Sequence, residues 1–347
     1  MHNNHLDHFI KANLWSIIIT VISLIGLFIW HGVGAAFTAF VLIAIEMAFS
    51  FDNAVVNAKI LSRLSVFWQK LFLTVGMIVA IVGMRFVFPI LIVAVTAGLG
   101  YKEVIDLALN NPTGYAHHLE EAHPTIAAFG GAFLLTLALY FLFDKSREIK
   151  WITKFEQTLQ KAGGHWWLAP LLALVGVGLA ALVPGNQHVK TTLEAGTIGV
   201  ISYTAMTQLM AWLGKHEPAG KDGKKPKVQV GWAAFGGFMY LQLLDASFSF
   251  DGVLGAFAIT NDIILIAVGL GVGALWVRSL TVQLVRHQTL DHLPYLEHGA
   301  HYAILALAIA LLASITLHIP DAITGFVGIV IIIASLRASR LEARRRA

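Results

Sequence analysis

The chain has 347 residues, of which 57% are hydrophobic and only 13% charged, with a formal net charge of +4 and no cysteine. A soluble domain carries about 25% charged residues, so these proportions, with a mean hydropathy of +0.73, exclude an ordinary soluble enzyme and require a polytopic membrane protein. The length holds roughly ten spans of about 20 residues and leaves no room for a large soluble catalytic domain, while the missing cysteines exclude disulfides, thiolate ligands and cysteine catalysis, so any metal chemistry must use oxygen or imidazole.

The first apolar run begins at Asn13 and continues past Trp30 without a small-residue cleavage site, which reads as a retained helix and not a signal peptide. Further runs follow at 35–61, 71–98, 125–143, 166–184, 194–213, 231–258, 261–285, 300–318 and 321–336. The expected fold is therefore all-α, with about ten transmembrane helices. Basic residues follow the second span (Arg63, Lys70), the fourth (Lys145, Arg147, Lys150, Lys154, Lys161) and the sixth (Lys215, Lys221, Lys224, Lys225, Lys227), and close the chain (Arg340, Arg344, Arg345, Arg346). The loop from Tyr101 to Pro124 instead sets Lys102 against Glu103, Asp106, Glu120 and Glu121. By the positive-inside rule that loop is external and both termini are cytoplasmic, in what is expected to be a bacterial inner (plasma) membrane. The pI of 9.2 then reflects topology and lipid contact, with no nucleic-acid partner implied.

One stretch occurs twice. Residues 46–53 read Glu-Met-Ala-Phe-Ser-Phe-Asp-Asn and residues 245–252 read Asp-Ala-Ser-Phe-Ser-Phe-Asp-Gly, each inside an apolar run. Glu46, Asp52, Asp245 and Asp251 are thus carboxylates where hydrocarbon is expected, at about 2.5–3.5 kcal/mol each, and such residues are candidates for a functional site. The spans carrying the two copies lie an odd number of steps apart, so the copies run in opposite directions, as in inverted-repeat transporters with ion sites near the midplane. Arg85 and Arg278 follow in the next span of each half, and Gly131-Ala132 and Gly299-Ala300 in the one after. The expected organisation is a flanking helix at 1–34, a three-helix repeat at 35–143, two linking helices with cytoplasmic loops at 144–230, a second, inverted three-helix repeat at 231–318, and a C-terminal helix with a basic tail at 319–347.

On a regular helix at about 100° per residue, Glu46, Ser50, Asn53 and Asn57 share one face and Asp52 sits about 240° round from Glu46. Both acids can meet one ion only if the helix is kinked near Phe49–Asp52; Gly252 and Gly255 would ease such a break in the second copy, and the first copy has no Gly or Pro to help. Alternatively, Asp52 and Asp251 pair with Arg85 and Arg278, and four acids against two arginines leave the charge a divalent cation would neutralise. Lys59 is expected to snorkel to the interface. The ligand set Glu46, Ser50, Asp52, Asn53, Asp245, Ser249 and Asp251 offers hard oxygen donors, suited to Mg²⁺, Ca²⁺ or Mn²⁺. Structural ion pairs gluing helices together are the plain alternative.

An acid followed by Ser-x-Asp-Asn in one half, and an acid followed by Ser-x-Asp in the other, resembles the TerC family of integral membrane proteins, over about 35–143 and 231–318. The resemblance implies tellurium resistance and export of metal ions, chiefly manganese, with Glu46, Asp52, Asn53, Asp245 and Asp251 handling the ion; Gly252 and the His-containing external loop depart from the pattern. The expectation is a secondary transporter, not an enzyme, without a resident cofactor, exporting a divalent cation with protons as the candidate counter-ion. Phe49, Phe51, Phe248 and Phe250 would crowd the site into a compact shell favouring Mn²⁺ over Ca²⁺. An accessory membrane protein for metal loading or metal-stress resistance, a Ca²⁺/H⁺ exchanger-like transporter and an intramembrane metalloenzyme are the competing classes, and the oligomeric state is open. His117, His118, Glu120, Glu121 and His123 read as a solvated external loop able to take up released metal, and His287, His292, His298 and His301 as a cytoplasmic set with His301 near the translocation path.

Overall fold

The computed structural model describes residues 2–215, 228–260, 262–286, 293–317, 319 and 321–346. Among these no strand forms, and the chain folds into α1 (His2–Phe49), α2 (Phe51–Leu61), α3 (Val66–Leu71), two π-helical stretches at Phe72–Gly76 and Val79–Val87, α4 (Phe88–Ala97), α5 (Tyr101–Asn110), α6 (Pro112–Phe143), α7 (Thr153–Ala162), α8 (Leu168–Ala181), α9 (Val189–Lys215), α10 (Gly231–Ile259), α11 (Ile263–Arg286), α12 (Leu296–Ser314) and α13 (Asp321–Arg346).

Six helical segments among the described residues are long and apolar enough to cross a membrane: Asn13–Ala48, Val66–Gly83, Pro112–Phe143, Ile263–Val285, Leu296–Ser314 and Ile323–Arg345. Their outer faces carry large apolar side chains, with Trp15 at 73% exposure and Trp30 at 87%. Apolar surface of this extent is stable against lipid and unstable against water, and it marks the chain as an integral membrane protein. Of the ten apolar runs, the first two join in one long segment, the run at 166–184 yields only the short α8, Leu168–Ala181, and the runs at 194–213 and 231–258, which form α9 and α10, are not among the six. The stretch from Tyr101 to Pro124, expected as a loop, is helical: it forms α5 and the first turns of α6, which continues through Pro124. The expected cytoplasmic loop after α6 likewise contains a helix, α7.

Within α1, Gly32 leaves the helical region at φ 83°, ψ −177°, a backbone that only glycine adopts readily. The contacts on either side define what this does. Asn13, Ser16 and Thr20 meet Gln283, Ser279 and Trp276 of α11 in descending order, through side-chain hydrogen bonds of 3.0, 2.7 and 2.9 Å. Beyond Gly32, Leu42 and Glu46 pack on Gly269 and Gly273 in ascending order. The two arms of α1 therefore run in opposite directions along α11, and the glycine is a hairpin. The polar ladder of the first arm satisfies its own donors inside an apolar setting, which is how such groups glue membrane helices.

The same bookkeeping orients α10. Asn53, later in the chain than Glu46, reaches Asp245, while a Cβ on Gly252 would lie 3.1 Å from Glu46 Oε2, so α10 runs opposite to the second arm of α1 and to α2 beyond it. The π-helical stretches lie alongside α10 and α11: Gly76 sits against Gln242, Ile81 against Gly271, and the Leu73 carbonyl accepts from Arg278 Nε at 2.8 Å. Pro89 has no N–H to return to the preceding turn, and the wide helix ends just before it, at Val87. Elsewhere small residues let backbones approach. A Cβ on Gly199 of α9 would collide with the Phe129 carbonyl of α6, and one on Gly131 of α6 would lie 2.9 Å from Leu312 of α12. These contacts assemble α2, α6, α8, α9, α10 and α12 around one core centred on Phe133, Leu134 and Ile304, each 0% exposed.

Candidate functional site

The second arm of α1 ends at Phe49, and Ser50 adopts φ −92°, ψ 15° before α2 begins. This is the bridge region, where active-site residues are often found. The axis survives, because Ser50 N donates to the Glu46 carbonyl at 3.0 Å and Ala54 N to the Ser50 carbonyl at 3.1 Å. The expected obstacle, the lack of Gly or Pro, does not prevent the break, since Ser50 Oγ donates to Glu46 Oε1 at 3.0 Å and supports its own altered backbone. The second copy behaves in the opposite way to expectation: α10 runs as one helix from Gly231 to Ile259, through Gly252 and Gly255.

Glu46 is 5% exposed and accepts from Arg85 Nη2 through the same oxygen that Ser50 reaches. Arg85, carried on the second π-helical stretch, thus pairs with the first acid of the motif, where azimuth on a regular helix had set it against Asp52. Asp52 is 7% exposed, and its Oδ1 accepts from the backbone N–H of Asn53 at 2.9 Å. Asn53 Nδ2 then crosses to α10 and donates to Asp245 Oδ1 at 3.0 Å. Asp245 in turn is close enough to Arg85 and Glu46 to interact electrostatically with both. Arg278 directs its Nε to the Leu73 carbonyl. Ser249 and Asp251 lie on α10 with side chains outside the described residues.

Three oxygen acceptors in this group, Asn53 Oδ1, Asn57 Oδ1 and Asp245 Oδ2, are buried without a hydrogen-bond partner among the described residues. Buried polar atoms are nearly always satisfied in native proteins, so each such orphan points to something that completes it. Glu46, Ser50 and Asp52 open together onto a cavity of about 630 Å³ bounded by α10, α11, α12 and α13. Most of its wall is aliphatic, including Leu42, Ile329 and Ile332, so the two acids and Ser50 form one polar face in a largely apolar chamber. Phe51 and Phe248 line this chamber; the rings expected to crowd the acids leave open volume beside them. The rings of Phe49 and Phe250 lie outside the described residues.

A second buried charge cluster escaped sequence reasoning, which read Arg147 and its neighbours as topology-setting loop charges. Glu156 of α7 is fully buried. Its Oε1 accepts from Tyr302 Oη at 3.0 Å and from the backbone N–H of Trp151 and Ile152, and its Oε2 lies 3.3 Å from His298 Nε2 and 3.9 Å from Arg147 Nη1. Burial alone would raise the Glu156 carboxyl, but the His298 imidazole 3.3 Å away and the hydrogen bonds from the Ile152 N–H and Tyr302 outweigh it and hold it down at about 2. Phe141 is sandwiched, with the Arg147 guanidinium 3.6 Å from its centroid and the His301 ring stacked at 3.5 Å. This places His301 in an aromatic stack against α6. Lys59, expected to snorkel, instead meets Glu297 at 2.9 Å. No sequence pattern marks this cluster, because the buried positions of α7 are the polar Glu156 and Gln160 while its Phe155 is exposed.

The histidines at the other end of α6 do not sit on a loop. His117, His118 and Glu121 occupy its first turns, and His123 Nε2 lies 3.3 Å from Ser314 Oγ. His287 and His292 lie outside the described residues, as do Lys221, Lys224, Lys225 and Lys227. The chain belongs to the family described as "Protein of unknown function (DUF475)", which it matches over residues 51–346. No curated protein and no solved structure gives a match.

Proposed function

We propose that this member of the family is a secondary transporter that exports a divalent metal cation, with Mn²⁺ as cargo, through the carboxylate cluster between α2 and α10. The observation that carries the reading is the set of orphaned buried oxygens on Asn53, Asn57 and Asp245, beside Glu46 and Asp52. Arg85 balances Glu46, while Asp52 and Asp245 have no ion-pair partner within 4 Å among the described residues. Two carboxylates outside any ion pair and several amide oxygens are what a hard divalent ion takes up. Replacing them by apolar side chains would serve a purely structural role better, since buried pairs seldom add net stability.

The opposite courses of the second α1 arm and α10 support an inverted pair of three-helix repeats, 35–143 and 231–318, within a ten-span topology that puts both termini in the cytoplasm. The break at Ser50 sets Asp52 on the same chamber as Glu46, so an ion arriving through the chamber meets both acids. The mostly aliphatic wall offers it few ligands, which favours the polar face. The resemblance to the TerC family supports Mn²⁺ over other hard ions, and proton exchange at the same acids would return them to their starting state.

The test is flux of radioactive Mn²⁺ into vesicles containing the purified protein. Asp52→Asn keeps the shape and removes the charge, and should abolish flux while leaving insertion and melting unchanged. Flux at the parental rate in that variant places the ion elsewhere.

A further inference from the structure

We infer that the first turns of α6 and the foot of α9 form a second metal site, made by His117, His118 and Glu121 with His188 as fourth ligand, for a borderline transition ion such as Zn²⁺, Co²⁺ or Ni²⁺. It lies at the opposite end of α6 from the Glu156 cluster and shares no residue with the carboxylate site.

The geometry starts from helical spacing. Adjacent histidines diverge by about 100°, but a residue three places beyond one and four beyond the other falls between them. Glu121 occupies that position: its Oε2 is 2.9 Å from His118 Nδ1 and its Oε1 is 3.6 Å from His117 Nδ1. The three ligand atoms all lie within 4.8 Å of one another. In a tetrahedral site with bonds of about 2.0–2.2 Å the ligand atoms are about 3.4 Å apart, and the two measured separations bracket that value. The exposed His117 and Glu121 side chains are free to rotate toward a common ion.

A His–Glu pair on a helix surface is common and by itself means little. The second observation is convergence from a distant part of the chain. His188, just before the first turn of α9, lines a cavity of about 610 Å³ together with Thr96, His117, Glu120, Glu121 and Pro124. Two imidazoles, His117 and His188, therefore face one volume with the carboxylates of Glu120 and Glu121, and Glu121 links them to His118. Imidazole donors favour Zn²⁺, Co²⁺ and Ni²⁺ over Mg²⁺, Ca²⁺ and Mn²⁺, so this site selects a different class of ion from the oxygen-only cluster. A bound ion would fasten the start of α6 to the start of α9.

Co²⁺ titration of the purified full chain, with any affinity tag removed, tests this, because Co²⁺ in a tetrahedral nitrogen–oxygen site absorbs in the visible. The parent and Asp52→Asn should both develop the band at stoichiometric Co²⁺ and lose it on adding Zn²⁺. The double variant His117→Ala/His118→Ala should show none, and His118→Gln, which preserves size and the link to Glu121, should bind at least about tenfold more weakly, since even outer-shell changes cost 10–100-fold. His188→Ala should weaken binding by a similar factor; unchanged affinity there overturns the fourth ligand. No band in the parent, or an undiminished band in the double variant, overturns the site. A band lost in Asp52→Asn but kept in the double variant would put the ion on the membrane carboxylates, refuting this site while leaving the transport reading intact.

Discussion

The Glu46–Arg85 pair offers a way to separate what holds the helices together from what handles the ion. Both side chains are buried, at 5% and 8% exposure, and Glu46 takes its two hydrogen bonds from Arg85 and Ser50. Arg85→Met strands the carboxylate against aliphatic neighbours and should cost about 3–5 kcal/mol, the usual result of removing one partner of a buried pair. That is a large share of the 5–15 kcal/mol by which folded proteins are typically stable. Glu46→Leu/Arg85→Met removes both charges and fills much of the same volume, and such replacements are often neutral or stabilising by about 1–4 kcal/mol. The double variant should therefore melt near or above the parent in detergent, followed by tryptophan fluorescence, while Arg85→Met melts far below. Flux should not follow stability: the recovered double variant lacks the first acid and should remain inactive. Parental melting of Arg85→Met, or failure of the second substitution to restore stability, would refute the pairing, and a transporting double variant would remove Glu46 from the ion path.

Gly273→Ala should impair flux with little loss of insertion, because its Cβ would lie 2.6 Å from Glu46 Cβ and Cγ and must push that side chain off the polar face; parental flux would show that Glu46 can move freely. Mn²⁺ should raise the melting temperature more than an equal concentration of Ca²⁺, by preferential binding to the folded state, and Asp52→Asn should lose the difference; a larger Ca²⁺ shift, lost in the same variant, would keep the site and change the ion. The depressed Glu156 carboxyl makes stability depend on acid. Its contribution is complete above the ordinary glutamate value of 4.5 and is lost as pH falls through about 2, so Glu156→Gln should flatten the melting profile across that window and an unchanged profile would contradict the buried network.

The chemistry of the carboxylate site was legible in the sequence, because a charged residue in an apolar run announces itself whatever its neighbours are. So was the Glu46–Ser50 contact, a one-turn relation that any α-helix produces. Gly32 lies in the gap between the first two apolar runs, and the chain turns back there. The partner of Arg85 was not legible, and the reason is specific. Assigning side chains to faces at about 100° per residue assumes unbroken α geometry on both helices. One residue at Ser50 departs from it, and the whole stretch from Val79 to Val87 is π-helical, so each residue there turns through a smaller angle than the arithmetic supposes. The errors fall on the two segments that meet at Glu46. Glu156 was hidden for another reason: its burial depends on α7 docking against α12, which joins residues far apart in the chain through His298 and Tyr302. A π-helical stretch keeps its backbone groups bonded, as an apolar environment demands, but through i→i+5 bonds that are rare and occur mostly at functional sites. Its persistence where it delivers a guanidinium to Glu46 is best understood if the position of that one charge matters more than the regularity of the helix.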